Sequence, residues 1–411
     1  MSVVKSCIKI CLLSVLSCTS ILGHTATGNT PPERPLSPLL QLSQTRLQAS
    51  QLNSTTLNDE RALELSASSW LSGLPSISLS HLGSLDNGNS YEQEVSLNLP
   101  LKSPGQHGSD KRLTQLSQAI QSQQSALQSL YLSGLLRQSL WAHRIASVKL
   151  KQLARKTNLL QKLHAQQKRL TDVGELPLAN LLLLERELVD IELEQIDIQQ
   201  QQDEAHALYR QLTGQDEVPT QIAESQRPLA NGNSDLAQHP LWQLQTLQQQ
   251  QLLLIIKSQQ AGEQDPWTVS LTAKNTSDDQ VDDQQLGLGI TVPLGFSSAL
   301  SQGELSQWQQ AHTEQNLARD RTYLELTTQI DKLTQQQGNL QQQHALLSRG
   351  LSLSRTITEE LAKVKDQDQV SYEIWLRRYV DALDTESRLT LNQVMQQQLH
   401  SQQLQALGIS L

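Results

Sequence analysis

The chain has 411 residues and a formal net charge of −9, with one Phe and 3% aromatic residues in all. That balance excludes a basic nucleic-acid surface with interleaved aromatics, and it argues against two or three ordinary compact domains, whose cores would use more Phe, Tyr and Ile. A Leu- and Gln-rich chain suits long helices packed along narrow seams, with broad polar faces in water.

Residues 1–26 read as a secretory signal. Lys5 and Lys9 lie ahead of and within an apolar run from Ile8 to Leu16, which is too short to span a bilayer as a stable helix. All three cysteines, Cys7, Cys11 and Cys18, fall inside it, so a chain cut near Gly23 or Ala26 would hold no disulfide. The run Val15-Leu16-Ser17-Cys18 is a candidate lipoprotein box with an atypical Leu16, which makes Cys18 a candidate lipidation site. No other stretch reaches about 18 apolar residues. Membrane entry, if any, is expected through strands.

A first repeat is expected over 27–214. A helical pattern from Pro38 to Leu71 leads to a β-hairpin over 75–101. In its first arm Ile77 and Leu79 alternate with serines; Asn87-Gly88 supplies the turn; in the second arm Val95, Leu97 and Leu99 oppose Ser96 and Asn98. From Gln106 to Leu170 no proline intervenes and leucines recur at three, four or seven, which predicts one helix of roughly 95 Å. A tip over 171–177 follows, where Gly174 suits a helix C-terminus and Pro177 the first turn of the next helix. That helix should return from Leu178 to Leu212 and stop at Gly214.

A Pro/Gly/Asn-rich linker over 215–240 precedes a second repeat, 241–411, on the same plan. Its hairpin spans 266–294, with Trp267, Val269 and Leu271 against Thr268, Ser270 and Thr272, then Leu286, Leu288, Ile290 and Val292 against Gly287, Gly289 and Thr291. A helix from Ser297 to about Lys365, a tip over 365–371 and a final helix to Leu407 complete it. Pro75 with Pro266, Pro100 with Pro293 and Gly174 with Asp368 match in order at offsets of 191 to 194. The chain is an internal duplication.

Four strands of this kind, each with one apolar and one small or polar face, have the dyad pattern of a transmembrane barrel lining a water-filled lumen. A soluble sheet with one face on a core has the same periodicity. The neighbouring elements, however, are long helices with nothing to spare as a cover, and four strands leave open edges that hydrocarbon forbids. Three copies would give twelve strands, so a homotrimer closes the sheet most simply. Helices of such length need similar helices beside them and would enclose a polar tunnel; a coiled-coil scaffold is the bland alternative.

These features together resemble the TolC family of outer-membrane efflux channels. The duplicated strand, Leu-Pro-Leu or Val-Pro-Leu, and long-helix plan carries the resemblance, with LTG at 212–214, HPLW at 239–242 and the tip RLTDVGELPLANLLLLERELVDIELEQ at 169–195. The segment EVSLNLPLKSPGQHGSDKRL at 94–113 resembles the CzcC/CusC-like metal-efflux branch. The resemblance implies a mainly α fold with a small β part: a trimeric twelve-stranded barrel in outer-membrane lipid, continued by an α-helical barrel in the periplasm. It implies no catalysis and no cofactor. It also implies docking to a periplasmic adaptor protein and an inner-membrane pump of the resistance-nodulation-division (RND) type. By position the adaptor-facing tips are Arg169, Leu170, Val173, Gly174 and Leu176, with Lys365 to Ser371, Val370 included, in the second repeat. The second tip departs from the family pattern. Asp368 replaces a glycine, and the acidic gate positions of some members read Ile374 and Arg377, which leaves Asp366, Asp368 and Glu373 as a candidate substitute gate, with solvated acidic residues at a helix turn as the alternative.

No HExxH, CxxC, GxSxG, Walker or GxGxxG motif occurs, and ten scattered histidines give no visible metal centre. His107, His143, His164 and His344 read as solvated helix or loop residues. The implied cargo is heavy-metal cations, with drugs and small organics or a secreted polypeptide as the alternatives.

Overall fold

The fold follows from where proline and glycine allow helices to stop. The computed structural model describes residues 36–51, 70–85, 90–225, 236–262, 267–278, 281–293, 302–365 and 372–411, all within the unit Pro35–Leu411. Helix α1, Ser37–Gln51, precedes strands β1, Ser76–Gly83, and β2, Tyr91–Leu101. Then come α2, Pro104–Asp172, and α3, Leu178–Thr213. The second half supplies α4, Pro240–Gly262; β3, Trp267–Asp278; β4, Val281–Thr291; α5, Gln302–Lys365; and α6, Tyr372–Ala406. The described residues are 74% helical, with one small antiparallel sheet.

Helix α2 runs 69 residues, about 104 Å at 1.5 Å per residue. Pro104 sits at its start, where a missing N–H costs nothing, and Ser103 caps it by accepting from the Gln106 N–H at 3.2 Å. The helix expected from Pro38 to Leu71 is different. Its described part is α1, and Leu71 instead makes an antiparallel bridge to Leu101. Ser72 N–H donates to the Pro100 carbonyl and Lys102 N–H to that of Trp70, so the chain pairs with the strand before it can coil.

In the lower half the helices form a row. Helix α2 packs on α3, α5 on α6, and α2 on α6, leaving α3 and α5 at the two ends. Higher up, α4 lies against α2 and α5, while α1 lies against α2 and α3. The apolar core is correspondingly divided. Leu160, Leu163, Leu184, Ile191 and Leu376 fill the lower seam, Leu116, Ile120 and Leu244 an upper one, and Leu140, Trp141, Tyr209, Ile222 and Val394 the middle.

Glutamine does part of the packing. Gln403 donates to Gln337 at 2.9 Å, Gln315 to Gln245 at 2.8 Å and Gln249 to Asn316 at 2.8 Å, each across a helix pair. An amide has both donors and acceptors, so a facing amide satisfies it without a compensating charge. Among the described residues no helix is long and apolar enough to cross a membrane.

Candidate channel wall, equatorial clamp and tip

The sheet runs β1-β2-β3-β4, so the two hairpins join through β2 and β3 and leave β1 and β4 as edges. Its register places Ile77, Leu97, Leu271 and Leu288 in one row, and Leu79, Val95, Ala273 and Leu286 in the next. Leu99, Val269 and Ile290 form a third. Because side chains alternate with period two, these rows share one face, and they meet no core: Ile77, Leu271 and Leu288 are 74%, 53% and 72% exposed.

The opposite face carries Ser78, Ser96, Ser270, Thr272, Gly287 and Gly289. Ser78 and Ser96 share a hydrogen bond of 2.5 Å, and Lys274 pairs with Glu92 at 2.6 Å. Gly289 keeps this face low beside β3, since a Cβ there would stand 2.5 Å from the Ser270 hydroxyl. Toward the hairpin turns the apolar face gives way to His81, Gln93, Asn275 and Gln284, which also pair in one row.

Midway along the helices the start of the linker and the C-terminus are clamped together. Arg137 of α2, only 4% exposed, grips Glu224 with Nε–Oε1 at 2.9 Å and Nη2–Oε2 at 2.6 Å. Its Nη1 donates to the Gln405 amide oxygen at 2.5 Å and to the Ile409 carbonyl at 2.9 Å. Gln405 donates in turn to the Leu130 carbonyl, and Trp141 to the Ser401 hydroxyl. Tyr209 is buried and donates to the Glu217 carbonyl; burial pushes its phenol above the ordinary value, and the Thr213 hydroxyl partly offsets this. Spacing along the sequence gives no sign of this clamp, because Arg137 and Glu224 are 87 residues apart.

Two helix ends mirror one another across the duplication. Gly214 closes α3 at φ +76° and Gly408 follows α6 at φ +80°. The Gly408 N–H donates to the Gln405 carbonyl and Ile409 N–H to that of Leu404. His239 packs against this turn. Its Nδ1 accepts from the Leu241 N–H at 3.2 Å, capping α4, and burial lowers its pKa from the ordinary histidine value.

At the first tip Gly174 takes φ +79°, with Glu175 N–H donating to the Leu170 carbonyl and Gly174 N–H to that of Thr171. That is the Schellman arrangement, in which a left-handed residue turns the chain back onto the last carbonyls. Val173 is 69% exposed and Arg169 is exposed, whereas Leu170 and Leu176 are half-buried. Pro177 stands at the cap of α3 rather than inside its first turn.

Sequence reasoning missed the continuation of this apolar surface through Leu178, Leu182 and Leu183, all exposed. In the sequence they belong to a helical pattern that does not say which leucines face outward. Of the second tip, Asp366, Asp368, Val370 and Ser371 lie outside the described residues, as do the side chains of Lys365, which closes α5, and Glu373, in the first turn of α6. Ile374 and Arg377 are exposed. Cys18 and the rest of residues 1–35 also lie outside the described set. Among the described residues no three His, Cys, Asp or Glu side chains converge as a metal centre.

No protein-family profile matches this sequence, and no curated protein matches it. Solved structures do. The outer membrane protein VceC of Vibrio cholerae superposes with a TM-score of 0.67 at 14% identity, over 91% of this chain and 96% of that one. CusC gives 0.67 at 14% identity, over 91% and 92%. The open MtrE outer membrane channel of Neisseria gonorrhoeae gives 0.64 at 14%, over 91% and 89%. The fold is therefore that of the TolC-like outer-membrane channels. These structural neighbours are channels, not enzymes.

Proposed function

We propose that three copies of this chain assemble into an outer-membrane channel whose helical part stands in the periplasm. The carrying observation is that the protomer is unfinished on both sides. Its sheet ends in two open edges, β1 and β4, and its apolar face is exposed. Its helical row ends at α3 and α5, which expose leucine-type residues at heptad spacing: Leu182, Val189 and Ile196 on α3, Leu346 and Leu353 on α5. Joining α3 of one copy to α5 of the next, and β4 to β1, covers both sets of edges with a single rotation. Closure after three steps gives twelve strands, a common barrel size.

In this reading residues 1–26 are a removed signal, and repeats 27–214 and 241–411 are joined by the 215–240 segment. The channel conducts passively, with neither catalysis nor cofactor. A periplasmic adaptor docks on the helical tips, at Arg169, Val173, Gly174, Leu178 and Leu183, and on 365–371 of the second repeat; an RND-type pump supplies the energy. Large exposed apolar side chains at a helix turn support a contact surface over a core. Heavy-metal cations are the proposed cargo, on the likeness of residues 94–113 to the metal-efflux branch. Purified protein should add discrete conductance steps to a planar bilayer, and deleting its gene should sensitise the host to metal salts. Bilayers that stay silent would contradict the channel; conductance with unchanged metal tolerance and lost drug tolerance would reassign the cargo.

A further inference from the structure

We propose that His143 and His206 form a binding site for one late first-row divalent cation, of the Zn2+, Ni2+ or Cu2+ class. The two rings belong to neighbouring helices, α2 and α3, and their centroids stand 6.1 Å apart with planes tilted by 45°. Two imidazoles bonded to one ion at about 2.0–2.1 Å put their centroids about 5–6.4 Å apart as the bond angle opens from tetrahedral to linear. The observed separation falls in that range.

The hydrogen bonds fix the tautomers that such an ion needs. His206 Nε2 lies 2.7 Å from the Asp216 carbonyl oxygen, so that nitrogen carries the proton and Nδ1 keeps its lone pair. A backbone carbonyl holding the far N–H of an imidazole is the usual support behind a metal-ligating histidine. On the other ring, His143 Nε2 lies 3.3 Å from the Gln202 amide nitrogen and accepts from it. That lone pair therefore points toward α3, held by a weak donor that an ion can displace. Both rings are half-buried, so solvent and ions reach them.

Among the described residues no third protein ligand joins the two imidazoles, so water completes the coordination. Neutral nitrogen donors select late first-row ions over Mg2+ or Ca2+, which require oxygen. The ion would staple α2 to α3 where Asp216 and Glu217 leave for the linker. The inference does not rest on the channel reading, since it concerns two helices of one copy.

The test uses the full chain without an affinity tag, in detergent at pH 7.5. Titration calorimetry with ZnCl2 should find one site per chain, and His143→Gln or His206→Gln should each weaken it by about tenfold or more. His164→Gln and His344→Gln should leave it unchanged. Cu2+ on the unaltered protein should show electron-paramagnetic splitting from two imidazole nitrogens, a readout that needs no variant to fold. Equal Zn2+ affinity in the doubly substituted protein, or a Cu2+ spectrum without paired nitrogens, would overturn the site.

Discussion

The Arg137 guanidinium and the Glu224 carboxylate meet in a two-pronged ion pair that ties the middle of α2 to the linker. Both side chains are largely removed from water, so neither can be left alone cheaply. Arg137→Leu strands the carboxylate and should cost about 3–5 kcal/mol. The double substitution Arg137→Leu/Glu224→Leu removes the orphan charge and should recover part of that loss. Thermal melting in detergent checks the order: single variant lowest, double variant above it, unaltered protein highest.

The left-handed turn at Gly174 is open to solvent, and a Cβ added there meets nothing within 4 Å. Gly174→Val should therefore cost only the backbone penalty, about 1–2 kcal/mol, while re-aiming Val173 and the exposed leucines of α3. Assembly and membrane insertion should persist while efflux and adaptor cross-linking are lost. A variant trimer that still cross-links and confers full resistance would remove the tip as the docking surface. Gly408 behaves differently, since a Cβ would stand 2.7 Å from Pro240 Cδ and 3.1 Å from His239 Cα. Gly408→Ala should lower stability itself.

The two faces of the sheet should tolerate charge unequally. Leu271→Arg places a cation on the apolar face and should cost on the order of 2–4 kcal/mol near the bilayer midplane, seen as reduced assembly into outer membranes. Ser270→Arg, on the opposite face, should assemble normally and shift ion selectivity in bilayer recordings. Equal tolerance at the two neighbours would mean that the faces are assigned wrongly.

Parts of this architecture were legible in the sequence because strand alternation and proline leave marks of their own. Ile77, Leu97, Leu271 and Leu288 announce a face by alternating with serine, threonine or glycine, and the register aligns them as the alternation requires. Gly174 followed by Pro177 likewise announces a helix end. Contacts set by three-dimensional packing left no such mark. Neither the Arg137–Glu224 pair nor the His143–His206 pair is visible in spacing, since each joins helices or linkers far apart in the chain. Leu71 read as the end of a helix, yet it pairs with Leu101; an apolar residue at helical spacing does not reveal that a strand lies within reach.

His239 gives the fold a pH dependence of known sign. Its folded pKa lies below the ordinary value because it is buried, and its Nδ1 must stay bare to cap α4. The unfolded chain takes up a proton as pH falls below about 6.5, where the folded chain resists it. Stability from this residue is therefore complete above that pH and declines as pH drops toward the folded pKa. His239→Asn, which can cap a helix without titrating, should flatten the melting temperature between pH 7 and 5. A slope unchanged by the substitution would place the titration elsewhere.

The open edges β1 and β4, and the helix row ending at α3 and α5, make the central claim one of closure by three copies. Native mass spectrometry of the detergent-extracted protein tests it most directly. The account predicts a single species at three times the protomer mass that needs detergent to stay in solution. A monodisperse, water-soluble monomer would contradict it.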